Sequence, residues 1–365
     1  MNFADYLTQK LPAVEAEIMR GLPAATPAAN TTSAAPAAPA VPAATASAAA
    51  PSERTRADLN AYLYQPLAHF SAGGGKRVRP VLCCLGTEAV GGSAEAALPV
   101  ACAIEDFQSA ALIHDDIADK SELRRGEKCL YKTLGTGLAI NVGDSALVNV
   151  VRRVTVADHL SDQLKVRVID ALLAMQEHTL EGQALDLGWA QNERWDVTSE
   201  QYLFMALSKT AYYSAAYPLV LGALIGGANQ KTLDALKDFG LKVGLAFQLQ
   251  DDLLNLVGNA EVQGKDFRSD ITEGKRTLAV VYALEHLGSA ERTELVSILS
   301  AHTGDTLKLQ RAVELMESAN AIKFVRTHAL ALVDEAKHVL ENVILTEDAR
   351  DTLLSMADFF VNRER

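Results

Sequence analysis

The sequence predicts an all-α protein, a single large bundle of roughly ten or more helices around a central cavity. Three observations carry that expectation. Apolar residues recur at helical spacing from end to end, the alternating β-branched runs that mark strands are absent, and glycine breaks cut the chain into helix-length pieces. The breaks fall at Gly73–Gly75, Gly91-Gly92, Gly126, Gly135–Gly137, Gly226-Gly227, Gly258–Gly264 and Gly288. With 365 residues and 49% hydrophobic content, the chain can bury a large core.

In order along the chain, residues 2–21 set Phe3, Tyr6, Leu7, Leu11, Val14, Ile18 and Met19 at helical spacing. They read as one amphipathic helix, with a kink expected at Pro12. Residues 23–51 are almost entirely Ala, Pro, Thr and Ser; six of the eleven prolines lie there, and Val41 is the one large apolar residue. Such a stretch cannot bury a core of its own. Because a helix precedes it, it reads as a linker inserted into one domain spanning 1–365. From Ser52 onward helices follow one another; those around two acidic runs are apolar on most faces and should be central, with more amphipathic helices outside.

A net charge of −12 and a pI near 5.2 argue against nucleic acid or an anionic membrane as partner. Any anionic substrate must then be held by clustered Lys and Arg or by metal. Cys83, Cys84, Cys102 and Cys129 lack metal-ligand spacing and sit in apolar context, as free thiols do in a reducing cytosol. No basic segment precedes an early apolar stretch. The longest apolar run, Ala215 to Gly227, contains Pro218 and is too short to span a bilayer. The expectation is a cytoplasmic protein without a membrane span.

The first acidic run is Ala110-Ala111-Leu112-Ile113-His114-Asp115-Asp116-Ile117-Ala118-Asp119. On a helix, Asp115 and Asp119 share a face one turn apart and repel unless a cation lies between them. Hard oxygen ligands in small number suit Mg²⁺, which takes one or two carboxylates and completes its shell with water and substrate phosphates. Phe247-Gln248-Leu249-Gln250-Asp251-Asp252-Leu253-Leu254-Asn255 repeats the pattern. Alone, each run could be a solvated helix end; as a pair without Cys or His ligands they point to Mg²⁺ shared with a phosphate-bearing substrate.

Cations accompany both runs. Arg124-Arg125 follows the first; Lys265, Arg268, Lys275 and Arg276 follow the second; Gly73-Gly74-Gly75-Lys76-Arg77-Val78-Arg79-Pro80 lies upstream. The glycine loop feeds a helix start, where backbone N–H groups favour an anion. It is not a P-loop, since the GxxxxGK[ST] spacing is missing. In an acidic chain, these clusters suggest two diphosphate sites, one metal-bridged and one held by Lys and Arg alone.

Taken together, GGKRVRP, DDIAD followed by ELRRG, EGQALD (181–186), SKT (208–210), FQLQDD and GK…SDITEGKRT resemble the trans-isoprenyl diphosphate synthase (polyprenyl synthetase) family, in the family's order from about residue 53 to 280. The resemblance implies an isoprenoid synthase-like fold and a Mg²⁺-dependent prenyltransferase that condenses isopentenyl diphosphate with allylic diphosphates. It implies Asp115, Asp119 and Asp251 as ligands to Mg²⁺, three ions in all, with Asp116 and Asp252 in support. Arg124, Lys209, Thr210, Gln248, Lys265 and Lys275 would surround the allylic diphosphate. Lys76, Arg79 and Arg125 would hold the isopentenyl diphosphate, with Gln108 beside them. Members are usually homodimers.

Two departures stand out. Gln108 occupies a position that is usually His, and Asn255 one that is usually Asp, where it would keep an oxygen ligand but lose a charge. Family members set product length by side chains before the first acidic run. Ala110 and Ala111 are small there, and Phe107 lies one turn deeper as the next floor. The expected product is geranylgeranyl diphosphate, with a longer polyprenyl diphosphate as the alternative. A class I terpene cyclase shares the fold and the metal chemistry but would not need the Lys76, Arg79 and Arg125 set. A non-catalytic partner subunit would show decayed acidic motifs, and Gln108 and Asn255 alone lean that way.

Overall fold

Side-chain caps start many of the helices. Ser52, Ser161 and Asn229 each accept a hydrogen bond from a first-turn backbone N–H, and Thr198 forms a reciprocal capping box with Gln201. The computed structural model describes residues 1–23, 51–258 and 267–363. The inserted linker therefore falls, but for its edges, outside the described residues, as does Lys265.

The helices up to the first acidic run are α1 (Phe3–Arg20), α2 (Glu53–Leu59), α3 (Gln65–Ala72), α4 (Val78–Ala89) and α5 (Ala94–Ala118). Then come α6 (Leu130–Leu134), α7 (Thr136–Thr155), α8 (Asp162–Gln191), α9 (Ser199–Ala206), α10 (Tyr217–Ile225) and α11 (Gln230–Val257). A π-helix, Leu207–Ala216, joins α9 to α10. Beyond the second run lie α12 (Ser269–Thr272), α13 (Leu278–His286), α14 (Ser289–Ser300), α15 (Thr306–Ser318), α16 (Ala321–Val339) and α17 (Glu347–Asn362). The all-α expectation holds. At Pro12, α1 continues without a break.

One expectation is corrected. Leu123–Arg124 (β1) and Glu127–Lys128 (β2) form a small antiparallel hairpin. Two-residue strands are too short to show alternation. The signal lies in the turn instead: Arg125 and Gly126 both take positive φ, 53° and 85°, as tight hairpin turns require.

The described chain divides into two compact units, one of residues 1–14, 77–105 and 154–365, the other of 15–76 and 106–153. In the larger unit, α11 packs against the π-helix, α10 and α16, and α4 packs on α10. In the smaller unit, Leu67, Ala110, Ile113, Ala139, Val142 and Ala146 form a buried cluster. Its buried ion pair is well satisfied: Arg153 Nε donates to Asp106 at 2.5 Å, and its other nitrogens donate to the Glu17 and Ile18 carbonyls at the end of α1. Among the described residues, α5 is long and apolar enough to cross a membrane. Of that apolar stretch, 72% is buried inside the protein, as befits a core helix.

Candidate active site

The first acidic run closes α5. The helical turn persists past its last residue, because the Asp119 N–H donates to the Asp115 carbonyl at 2.8 Å. Asp115 and Asp119 thus keep the one-turn spacing, Asp115 half-buried and Asp119 exposed. Asp116 points inward and is 1% exposed. Its Oδ1 accepts from Arg124 Nε at 2.9 Å and Nη2 at 2.5 Å. Burial opposes the Arg124 charge, but the hydrogen bond and charge of Asp116 outweigh it and raise the guanidinium pKa. Asp116 Oδ2 is buried without a hydrogen-bond partner among the described residues.

Arg124 and Arg125 line a cavity of about 200 Å³ with His69, Phe70, Gly73 and Lys128. Arg125 donates to the Phe70 carbonyl at 3.4 Å and lies 5.7 Å from the Phe70 ring centre. Gln108 is buried, with its Oε1 unpartnered among the described residues. Phe107 and Ala110 are buried and Ala111 half-buried. Lys76 is exposed at the end of the glycine loop.

In the larger unit, Arg77 takes a left-handed φ of 48° and its buried side chain donates to Glu105 Oε1 at 2.6 Å. Arg79 donates to Tyr213 Oη at 2.9 Å and Ser214 Oγ at 2.8 Å, and stacks 4.3 Å from the Tyr213 ring centre. Tyr213 and Ser214 belong to the π-helix, which also carries Lys209 and Thr210. Lys209 pairs with Asp186 of α8. A Cβ at Gly182 would collide with the Lys209 backbone, so the glycine lets α8 approach closely.

The second acidic run lies in the last turns of α11, with Asp251 44% exposed at its side chain. Asp252 is buried. Its Oδ2 accepts from Tyr202 Oη at 2.5 Å, and its Oδ1 from Gln248 Nε2 at 2.8 Å. Thr210 Oγ1 in turn donates to Gln248 Oε1 at 2.9 Å. Burial, then the nearby charge of Asp270, raises the Asp252 pKa to about 7. Lys275 is held by Asp270 at 3.3 Å and Glu273 at 2.8 Å; burial opposes its charge, but the two carboxylates prevail and raise its pKa.

Asn255 is engaged by the fold. Its Nδ2 donates to Ser269 Oγ at 2.9 Å, and its Oδ1 accepts the Asp270 N–H at 3.2 Å. Sequence reasoning assigned no part to Tyr202, Glu105 or Arg363. Asp186 stood in the quoted EGQALD without a role. Tyr202 carries no pattern that singles it out.

The donor set fits Mg²⁺. Among the described residues no three metal-ligating side chains converge on one point, so no all-protein cage exists. In the smaller unit the exposed Asp119 and the orphaned buried oxygen of Asp116, and in the larger unit the partly exposed Asp251, each suit an ion that keeps waters and borrows phosphate oxygens.

The chain is all-α and carries two acidic runs on helix ends, the first with its inward acid held by Arg124 and the second with its inward acid held by Tyr202 and Gln248. The polyprenyl synthetase family model matches residues 60–316. A short chain isoprenyl diphosphate synthase of Methanothermobacter thermautotrophicus is 42% identical over 299 residues, covering 81% of this chain and 89% of that protein. A geranylgeranyl pyrophosphate synthetase structure from Pyrococcus horikoshii aligns with a TM-score of 0.82 at 28% identity, over 99% of this chain and 98% of that one. The geranylgeranyl pyrophosphate synthase of Corynebacterium glutamicum, complexed with isoprenyl diphosphate and magnesium, aligns at 0.76 and 29% identity, over 84% and 91%. The chain belongs to the polyprenyl synthetase family and is a prenyl-transferring enzyme.

Proposed function

We propose that this chain, acting as one domain, condenses isopentenyl diphosphate with an allylic diphosphate to make a linear all-trans product, geranylgeranyl diphosphate. The observation that carries this reading is the pair of acidic runs, each leaving its first acid partly exposed and burying its second. Mg²⁺, three ions held by Asp115, Asp119, Asp251 and the allylic diphosphate, would neutralise charge developing on the leaving group.

The chain's own residues do the rest. Arg124, Lys209, Thr210, Gln248, Lys265 and Lys275 would grip the allylic diphosphate as the bond from its oxygen to the allylic carbon breaks and the electron pair leaves with it. Lys76, Arg79 and Arg125, with Gln108, would hold the second diphosphate. The double bond of isopentenyl diphosphate attacks the allylic cation, forming one carbon–carbon bond. A proton lost to the released diphosphate completes a chain five carbons longer. No side-chain nucleophile is needed.

Small Ala110 and Ala111 leave room for a growing tail, and Phe107, 3% exposed, suits a floor one turn deeper. Four free, buried cysteines agree with a cytoplasmic setting. On α8, Val166, Leu173 and Leu180 are exposed at seven-residue spacing, an apolar strip that a second copy would cover in a homodimer.

Incorporation of labelled isopentenyl diphosphate tests the reading. Turnover with dimethylallyl, geranyl or farnesyl diphosphate that stops on chelation supports it. A folded protein that releases cyclic hydrocarbon, or incorporates no label, overturns it.

A further inference from the structure

The chain leaving α17 turns back onto the second acidic run. Arg363, the residue after the helix, has a side chain only 9% exposed. Three residues of α11 grip it. The guanidinium carbon lies 3.8 Å from the centre of the Phe247 ring, and Nη2 donates to the Phe247 carbonyl at 3.2 Å. Gln250 Nε2 donates to the Arg363 carbonyl at 3.1 Å. Nη2 also pairs with Asp251 Oδ1. One turn earlier on α17, Phe360 packs 4.8 Å from the same Phe247 ring.

This is a built arrangement. A guanidinium sandwiched on an aromatic ring and anchored through its own carbonyl has lost most of its rotamer freedom, so its charge is fixed against one carboxylate. Its Nε is buried and has no hydrogen-bond partner among the described residues. A buried donor left idle is costly, so the stacking and the paired carboxylate must hold the guanidinium in place. Asp251 is the second run's exposed acid, so the arginine sits on the carboxylate that the proposed function gives to Mg²⁺.

We propose that Arg363 is a positioning residue for the metal site: a tethered counter-cation that holds Asp251 aimed, and that a divalent cation must displace from Oδ1. The inference rests on the reading of Asp251 as a metal ligand. Two positive charges cannot share one carboxylate lobe without repulsion, so Arg363 weakens metal binding to the substrate-free protein. The coupling ties the end of α17 to metal loading.

Mn²⁺ binding to the purified full chain without substrate, read by electron paramagnetic resonance, tests this. R363Q should bind Mn²⁺ about three- to tenfold more tightly than the unaltered chain at low salt, and the gap should shrink as salt screens the pair. R363K, which keeps the charge, should bind close to the unaltered chain. Q250L, which keeps both charges but frees the arginine's backbone, should shift in the same direction as R363Q and stands in if R363Q fails to fold. D251N should weaken Mn²⁺ binding and erase the R363Q gain. Equal or weaker binding by folded R363Q, with D251N still weakening the site, overturns the inference alone. Unchanged binding in D251N overturns the reading of Asp251 as a ligand, and the inference with it.

Discussion

Asp116 and Asp252 stand at the same place in two runs of the same pattern, and different chemistries hold them. Asp116 is buried against a cation, accepting two hydrogen bonds from Arg124. Asp252 is buried against neutral donors, Tyr202 and Gln248, with Asp251 and Asp270 as like-charged neighbours. The one is a charge neutralised by a charge; the other is a carboxyl whose proton is favoured by burial. In both runs the second acid is buried and bonded while the first stays partly exposed. Repetition in sequence has therefore conserved a division of labour between neighbours, not a single electrostatic solution.

The sharpest way to break that comparison is to remove the outward acids. D115N and D251N should each lower kcat by a hundredfold or more, on the order of what one preorganised charge-stabilising group supplies. D116N and D252N should fall mainly in stability. Steady-state kinetics beside denaturant unfolding separates the two. If D116N and D252N lose activity as deeply while folding as firmly as the unaltered chain, the division of labour is wrong.

Removing the partners probes the anchors themselves. R124M strands the Asp116 charge and should cost about 3 kcal/mol. Y202F removes one donor from a carboxyl that can accept a proton and should cost about 1 kcal/mol. Denaturant midpoints read both, and equal costs would erase the contrast.

The pH dependence is smaller and is carried by the second run. With its pKa raised to about 7, Asp252 favours the fold when protonated. That contribution is fully present below the usual carboxylate pKa and is lost as pH rises through about 7. Asp270, facing Asp252 and paired with Lys275, is raised by burial and adds in the same direction. Thermal midpoints of the metal-free protein should fall between about pH 5 and about pH 8, and D252N should flatten the slope. A slope unchanged in D252N would assign the titration elsewhere.

The smallest expected effect concerns Asn255. Its carboxamide is committed to Ser269 and to the Asp270 backbone, so N255D should change Mn²⁺ affinity by no more than about threefold and cost about 1 kcal/mol in lost hydrogen bonding. A tenfold gain in affinity would show that the position is a ligand site after all.

Much of this was legible from the letters. Helical spacing announced the helices, and the doubled acids at the ends of apolar runs stood out as candidates, because period and charge are local properties. The hairpin escaped, being only two residues per strand. Tyr202 escaped because a buried tyrosine looks like any core residue until a carboxyl is placed opposite it. Arg363 escaped because its meaning depends on Phe247 and Asp251, over a hundred residues away. The π-helix that carries Lys209 and Thr210 left no periodicity distinct from an α-helix, and the close approach of α8 at Gly182 appears only in the structure. Asn255 read as a weakened ligand, and its use as a helix-end brace appears only once Ser269 is in view.

Product sizing tests the central claim most directly. The purified chain would receive Mg²⁺, isopentenyl diphosphate and, separately, each of the three allylic primers, with products dephosphorylated and sized by chromatography. The account predicts that every primer converges on one linear twenty-carbon alcohol. A ladder of longer alcohols would contradict the floor at Phe107, and the absence of any elongated product would contradict the reaction itself.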